Sequence, residues 1–344
     1  MSQYQCRLLN LKSEWENFVL SKSEANFLQS YNWGQFQQQL GKSVFPIAAF
    51  NQDDKQAAAA LVIKEEAKRG GYLSIAGGPL LNWSGPNVKE ILDSLIPYLY
   101  NLAKQENCWF VRIRPQVEDA PKIRQLVQDY NFKQAQMHLT ADLTLELDLS
   151  ASEKELLMQM RKNTRYSVRK SRREGIKVEQ TQDLDFIQTF YDYQLYLADK
   201  HEFVPFSYQF LKEQFAVFKQ DDQVMLFNAY HEQDLLASAY ILFYNQEAVY
   251  HYGISTPKNK KLPGSYAVLW AAIKEAKRRG CRSFNFWGIA PDDEPDHRFA
   301  GVSIFKRGFG GEEVQYLPAH DLPVNSFYWL TRVFEWCRRK KRNL

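Results

Sequence analysis

Apolar and polar positions alternate along this chain in a rhythm that occurs twice. In the first half, "DKQAAAALVI" from Asp54 reads as a polar turn running into a strand, and "YLSIAGG" from Tyr72 as a second strand. A helical stretch of about 15 residues follows, and "AKQENCWFVRIRP" from Ala103 passes from the end of that helix into one more strand. The second half repeats the order with "DLLASAYILF" from Asp234, "YHYGIS" from Tyr250 and "AKRRGCRSFNFWG" from Ala276. Ala, Lys and Cys recur at one offset in the Ala103 and Ala276 segments, which makes chance similarity a poor explanation. Two copies of strand, strand, helix, strand predict an α/β chain of two related domains, each a mixed sheet flanked by helices. The boundaries drawn from this pattern are 1–150, completed by a returning C-terminal segment 318–344, and 151–317.

Between the copies, Ser152 and Glu155 have capping-box spacing and Gly175 is a stop, so residues 153–174 read as helical with room for one break. Leu157, Met160, Thr164 and Val168 share one face. Arg161, Arg165, Arg169 and Arg172 run along the next, within a segment where seven of thirteen residues are basic. Acids are absent from that run, so neighbouring salt bridges do not account for it, and a phosphate-rich partner becomes a real alternative to a solvated face. After Pro323, Phe327, Leu330, Phe334 and Cys337 share a helical face, and the helix ends in five consecutive basic residues, Arg338 to Arg342.

Composition narrows the classes. The 344 residues, 45% hydrophobic and 15% aromatic, suffice for two cores, and the longest apolar run is far short of the roughly 20 residues a spanning helix needs. The net charge of +4 is too small to argue for nucleic acid by itself. Four scattered cysteines show no metal or redox spacing, and the N-terminus lacks a leader pattern, so reduced thiols and a cytoplasmic location are expected. The acidic loop "DDEPDHRFAG" has one histidine and no second at ligand spacing, and no metal is expected there. No G-x-S-x-G, Walker loop or cysteine–histidine pair appears, so no covalent nucleophile and no cofactor is indicated.

Two stretches remain as candidate chemistry. "KNKKLPGSY" places Lys260, Lys261 and Gly264 ahead of a helix, an arrangement that offers amides to an anion, although Tyr266 stands where an acyl-CoA loop wants a small residue. "SIFKRGFGG" sets Lys306 after Phe305 and before a glycine turn. Read alone, this lysine is a surface residue at a strand end.

The segments "NFLQSYNWGQF", "GGPLL", "RKNTRYSVRKSRREGIKV", "YHYGIS" and above all "FNFWGIAPDDEPDHRFAGVSIFKRGFGGEEVQY" resemble the Fem (FemABX) family of tRNA-dependent aminoacyltransferases, over nearly the whole chain. The resemblance implies two tandem GNAT-like domains of the armless type, since about 60 residues without heptads separate Gly175 from Asp234. It implies aminoacyl-tRNA as donor, and as acceptor the amine of a peptidoglycan precursor stem peptide, UDP-linked or lipid-linked. Peripheral contact with the inner face of the membrane is thereby left open. The active-site pair implied is Phe305 and Lys306, with Tyr252 and Trp109 lining the acceptor site. Arg114 stands where an acid is expected, Gln35 and Gln37 where a lysine is common, and the segment "EFVPFSYQF" directly after His201 lacks an expected arginine. Arg114 and Gln37 are therefore candidate contacts to an altered acceptor. The donor's phosphates are assigned to Arg161, Lys162, Arg165, Arg169, Arg172, Arg173, Lys260 and Lys261, with the basic C-terminal tail. An acyl-CoA N-acyltransferase and a non-catalytic tRNA-binding module are the competing readings.

Overall fold

The computed structural model describes residues 3–67, 70–201 and 203–342. The chain divides into two compact units, Met1–Asp142 with Gln315–Leu344, and Leu143–Val314.

In the first unit the sheet runs β1 (Gln5–Leu8), β2 (Val44–Phe50), β3 (Gln56–Ala67), β4 (Gly70–Gly77), β6 (Cys108–Pro115), β15 (His320–Pro323) and β7 (Lys133–Gln134), with β5 (Leu80–Leu81) also beside β3. Neighbours from β1 to β4 are antiparallel, and β4 and β6 are parallel. The parallel pair is joined through helix α3 (Val88–Gln105), because a parallel connection needs a crossover. Ile91, Leu92, Leu95, Leu99 and Ala103 are the buried stripe of α3 and share one core with Ala58, Ala60 and Val62 of β3. The alanine run of β3 is buried on both faces: Ala59 and Leu61 turn the other way, and the Leu61 N–H donates to Gln29 Oε1 at 2.9 Å. Helices α1 (Lys12–Val19), α2 (Tyr31–Gln39), α4 (Pro121–Asp129) and α11 (Tyr328–Arg342) complete the unit. The apolar stripe expected on α11 faces outward, with Phe327, Leu330, Phe334 and Cys337 all exposed.

The second unit repeats the scheme. Its sheet runs β14 (Glu312–Gln315), β8 (Leu143–Asp148), β13 (Ser283–Gly288), β12 (Glu247–Ser255), β11 (Asp234–Tyr244), β10 (Val224–His231) and β9 (Lys177–Thr181). Strands β10 to β12 are antiparallel, and β12 and β13 are parallel across helix α9 (Gly264–Arg278). The remaining helices are α5 (Glu153–Gln159), α6 (Lys162–Arg173), α7 (Phe186–His201), α8 (Tyr208–Lys219) and α10 (Ala300–Arg307). Strand β8 lies before residue 150, yet it pairs antiparallel with β13 in the second sheet. Periodicity identifies a strand but not the seat it takes, so the boundary falls at Asp142.

The capping box forms, with Ser152 Oγ accepting from the Glu155 N–H and Glu155 Oε2 accepting from the Ser152 N–H. The helix then breaks where Met160 and Arg161 become extended, and the Arg161 N–H donates to the Gly308 carbonyl at 2.9 Å. "SIFK" is not a strand end. It lies in α10, with Val302 and Ile304 exposed while Ser303 and Lys306 are buried, the reverse of an ordinary amphipathic helix. A four-residue segment with two apolar positions is too short to distinguish strand from helix by period.

Candidate active site

Three elements of the second unit converge on Lys306. Along β12, Tyr252 pairs with Tyr240 and Tyr250 with Ile241, so His251 is an extra residue that bulges out of the ladder. On one side of the bulge, Tyr252 packs against Phe206 and Tyr240, with ring centroids 5.0 and 5.4 Å away. On the other, the Tyr250 ring lies 5.8 Å from Lys306 Nζ. His251 itself stands edge-on to Trp287 at 5.8 Å, and burial pushes its pKa down to about 3, so it is neutral.

Trp287, at the end of β13, has φ of +64°, a left-handed conformation that is strained for a bulky residue. Asn285 Oδ1 holds it there by accepting from the Trp287 N–H at 2.8 Å. The kink presents the next carbonyl, Gly288, to Lys306 Nζ at 2.7 Å. Lys306 is buried, and no carboxylate pairs with it among the described residues. Desolvation alone pushes its pKa down to about 7. Phe305 turns into the core, edge-on to Tyr266 and Phe309, and so fixes the helix that carries the lysine. Gly308 allows that helix to close on α6, since a Cβ there would stand 2.3 Å from Thr164 Oγ1.

Thr164, Val168 and Ser171 are the buried face of α6, while Arg161, Lys162, Arg169, Arg172 and Arg173 are exposed. Arg165 is half-buried and donates to the Met158 carbonyl at 2.9 Å. Lys170 Nζ donates to the Lys261 carbonyl at 3.1 Å and so brings α6 beside the exposed Lys260 and Lys261. Among the described residues none of Arg161, Lys162, Arg169, Arg172, Lys260 and Lys261 has an ion-pair partner, whereas Lys258 pairs with Asp234 at 2.6 Å. A cavity of about 190 Å³ beside this loop is lined by Lys258, Lys260, Gly264 and Ser265 at the start of α9. Tyr266 does not block it. Its ring stacks on Phe309 inside the core, contrary to the obstruction expected from the sequence.

The remaining sequence candidates lie in the first unit. Arg114 is buried at the end of β6, with its guanidinium on the Ala141 carbonyl, 3.7 Å from Asp142 and over the Tyr316 ring. Trp109 stacks on Phe327 at 5.3 Å. Gln37 is buried on α2, and its Oε1 has no hydrogen-bond partner among the described residues. Trp33 Nε1, one turn earlier on the same helix, is likewise without one.

Comparison with known proteins decides the family. A profile of the FemAB family matches residues 11–125, 122–233 and 227–335. The chain belongs to the FemAB family. The aminoacyltransferase FemA of Staphylococcus epidermidis is 34% identical over 96 residues, which cover 28% of this chain and only 23% of that relative. A crystal structure of FemX superposes with a TM-score of 0.83 at 17% identity, covering 96% of this chain and 100% of FemX. A tandem GNAT protein from the clavulanic acid biosynthesis pathway superposes at 0.61 and 9% identity, covering 94% of this chain and 99% of that one. Both units of this FemAB-family chain therefore carry the GNAT-like fold.

The sequence reading named Lys306, Phe305 and Tyr252 in this part of the second unit but passed over Trp287, Tyr250 and His251, and in the first unit passed over Trp33. Trp287 and His251 carry no periodic signal. A bulge and a positive φ are backbone events, and nothing in "NFWG" or "YHYG" marks them as such.

Proposed function

We propose that this chain is an aminoacyltransferase that moves an amino acid from aminoacyl-tRNA to an amine of a peptidoglycan precursor stem peptide, forming the peptide bond of an interpeptide bridge. The observation that carries this reading is Lys306, a buried amine on a backbone carbonyl with no carboxylate beside it among the described residues. Charge of that kind costs stability and is retained where chemistry uses it.

The aminoacyl ester is already activated. The neutral acceptor amine attacks its carbonyl, the C–N bond forms, and negative charge gathers on the carbonyl oxygen of the tetrahedral intermediate. The Lys306 ammonium stabilises that oxyanion; collapse then breaks the ester C–O bond, and the amine's proton leaves with the ribosyl oxygen, directly or through the vicinal hydroxyl or water. Positioning and charge stabilisation supply most of what such a step needs. Phe305 acts as a positioning residue. Tyr252, Trp109, Arg114 and Gln37 are acceptor contacts in this reading; Gln37 Oε1 and Trp33 Nε1, each without a hydrogen-bond partner among the described residues, leave an acceptor and a donor one turn apart on α2.

Arg161, Lys162, Arg165, Arg169, Arg172, Arg173, Lys260 and Lys261 hold the tRNA through phosphates, a contact that is sensitive to salt and blind to sequence. The absence of ion pairs on most of this surface, among the described residues, supports that role. A lipid-linked acceptor would bring the reaction to the inner face of the membrane.

An acyl-CoA N-acyltransferase is the second reading, and the open cavity at the start of α9 favours it. Two measurements separate them: titration with aminoacyl-tRNA and with acetyl-CoA, and transfer to a stem-peptide amine by wild type and Lys306→Met. Saturable acetyl-CoA binding without turnover of aminoacyl-tRNA would replace the first reading with the second. tRNA binding that ignores the aminoacyl group and tolerates loss of Lys306 would leave a binding module without catalysis.

A further inference from the structure

Helix α11 is packed the wrong way round for a soluble surface. Tyr328, Arg332 and Glu335, spaced i, i+4, i+7, face the sheet of the first unit. Tyr328 is fully buried against Phe110, and its hydroxyl lies 3.4 Å from Asp321 Oδ2. Arg332 donates to the Gln134 carbonyl and to the Tyr328 hydroxyl. Glu335 closes an ion cluster on Arg112, lying 2.8 Å from its guanidinium, which Asp321 meets at 2.6 Å. The polar side of the helix is thus spent inward. Trp329, Leu330, Val333, Phe334 and Trp336 cover the other side and are 39% to 64% exposed, with Cys337 exposed among them. A contiguous apolar stripe of this size on an exposed helix marks a docking surface.

We infer that this face is a docking surface for an anionic phospholipid bilayer. The charge pattern selects the occupant. Glu335 is the one acid between Tyr328 and Arg342, and it is turned inward and paired, so the outward side carries no negative charge. Exposed Arg338, Arg339 and Lys340 follow the stripe, and Lys340 Nζ lies 4.1 Å over the Trp336 ring, a cation joined to the apolar face it borders. The side chains of Lys341 and Arg342 lie outside the described residues. Tryptophans on an apolar face beside basic residues suit the headgroup boundary, where rings bury and cations meet lipid phosphates. The inference stands apart from the transfer reading. It gives the basic end of α11 a lipid partner in place of the tRNA expected from sequence.

The test is co-sedimentation of the full chain with vesicles of phosphatidylcholine mixed with phosphatidylglycerol, and of phosphatidylcholine alone. Wild type is expected to sediment with the anionic vesicles and to stay in solution with the neutral ones. Leu330→Glu with Val333→Glu should cut vesicle binding by about tenfold or more, and Arg338→Glu with Lys340→Glu by several-fold. These positions are exposed, so the thermal midpoint should hold; if the first pair fails to fold, the second decides. Equal binding to both vesicles, or binding indifferent to both pairs, overturns the inference. So does self-association abolished by Leu330→Glu without vesicle binding, or loss of tRNA affinity alone in Arg338→Glu with Lys340→Glu.

Discussion

The two units share a strand order, yet they treat a buried cation in opposite ways. In the first, β6 carries Arg112 and Arg114 inside the protein, and each meets a carboxylate: Asp321 with Glu335 for the one, Asp142 for the other. Burial by itself would lower the Arg112 pKa, but the hydrogen bonds and charges of Asp321 and Glu335 raise it well above its ordinary value. In the second unit, the strand at the same place, β13, ends in a kinked carbonyl that receives one lysine without a carboxylate, and there burial wins. A charge with buried partners holds a fold together, whereas a buried charge without them is available to a substrate. The seats beside these strands contrast too. β15, from the end of the chain, borders β6, and β8, from before the second copy, borders β13.

The largest effect expected from this contrast is Arg112→Met, which strands two buried carboxylates and should cost about 3 to 5 kcal/mol in urea unfolding. A midpoint equal to wild type would dissolve the distinction between the units. Lys306→Met should instead leave the midpoint unlowered while transfer falls about 10²- to 10³-fold. Its pH dependence sharpens the point. The folded state holds Lys306 at about 7 against an ordinary 10.5, so the unfolded chain binds more protons between those values, and stability should rise with pH across that window. The Met variant should lack that slope, and wild-type kcat should acquire a limb that falls through about pH 7 as the ammonium is lost.

Glu247 tests the same rule with the opposite sign. Burial, and then Glu146, push its pKa up to about 8, while Asn285 Nδ2 donates to it at 2.9 Å. The folded state therefore binds more protons between its ordinary 4.5 and about 8, and stability should fall as pH rises through that range. Glu247→Gln should gain about 1 to 3 kcal/mol at pH 8 by calorimetry. An unchanged melting temperature would show that carboxyl to be solvated. The smallest stability effect belongs to the unpaired surface. Arg169→Glu with Arg172→Glu should shift unfolding by less than about 0.5 kcal/mol, while tRNA affinity drops about tenfold or more and its salt slope flattens. Affinity that survives the reversal would return α6 to a merely solvated face.

Much of this was legible in order along the chain. The recurring Ala, Lys and Cys offset pointed to two copies, the Ser152 and Glu155 spacing produced the capping box, and the basic run on α6 lies on the face its period assigned. The site was legible only in part. Lys306 and Tyr252 carried a family signature, but "SIFK" read as a strand, and Arg114 offered no sign that Asp142, 28 residues on, would bury with it.

The sequence by itself determined the repeat, the helix caps and the residue types at the centre, because these depend on neighbours a few positions apart, and backbone periodicity and local hydrogen bonding express them directly. Tertiary structure alone decided which sheet β8 joins, the bulge at His251, the turned-over helix α11 and the burial of Lys306 on a backbone carbonyl. Pairing seats, desolvation and ion partners are set by groups far away in the chain, and a residue acquires its charge state only when those groups arrive.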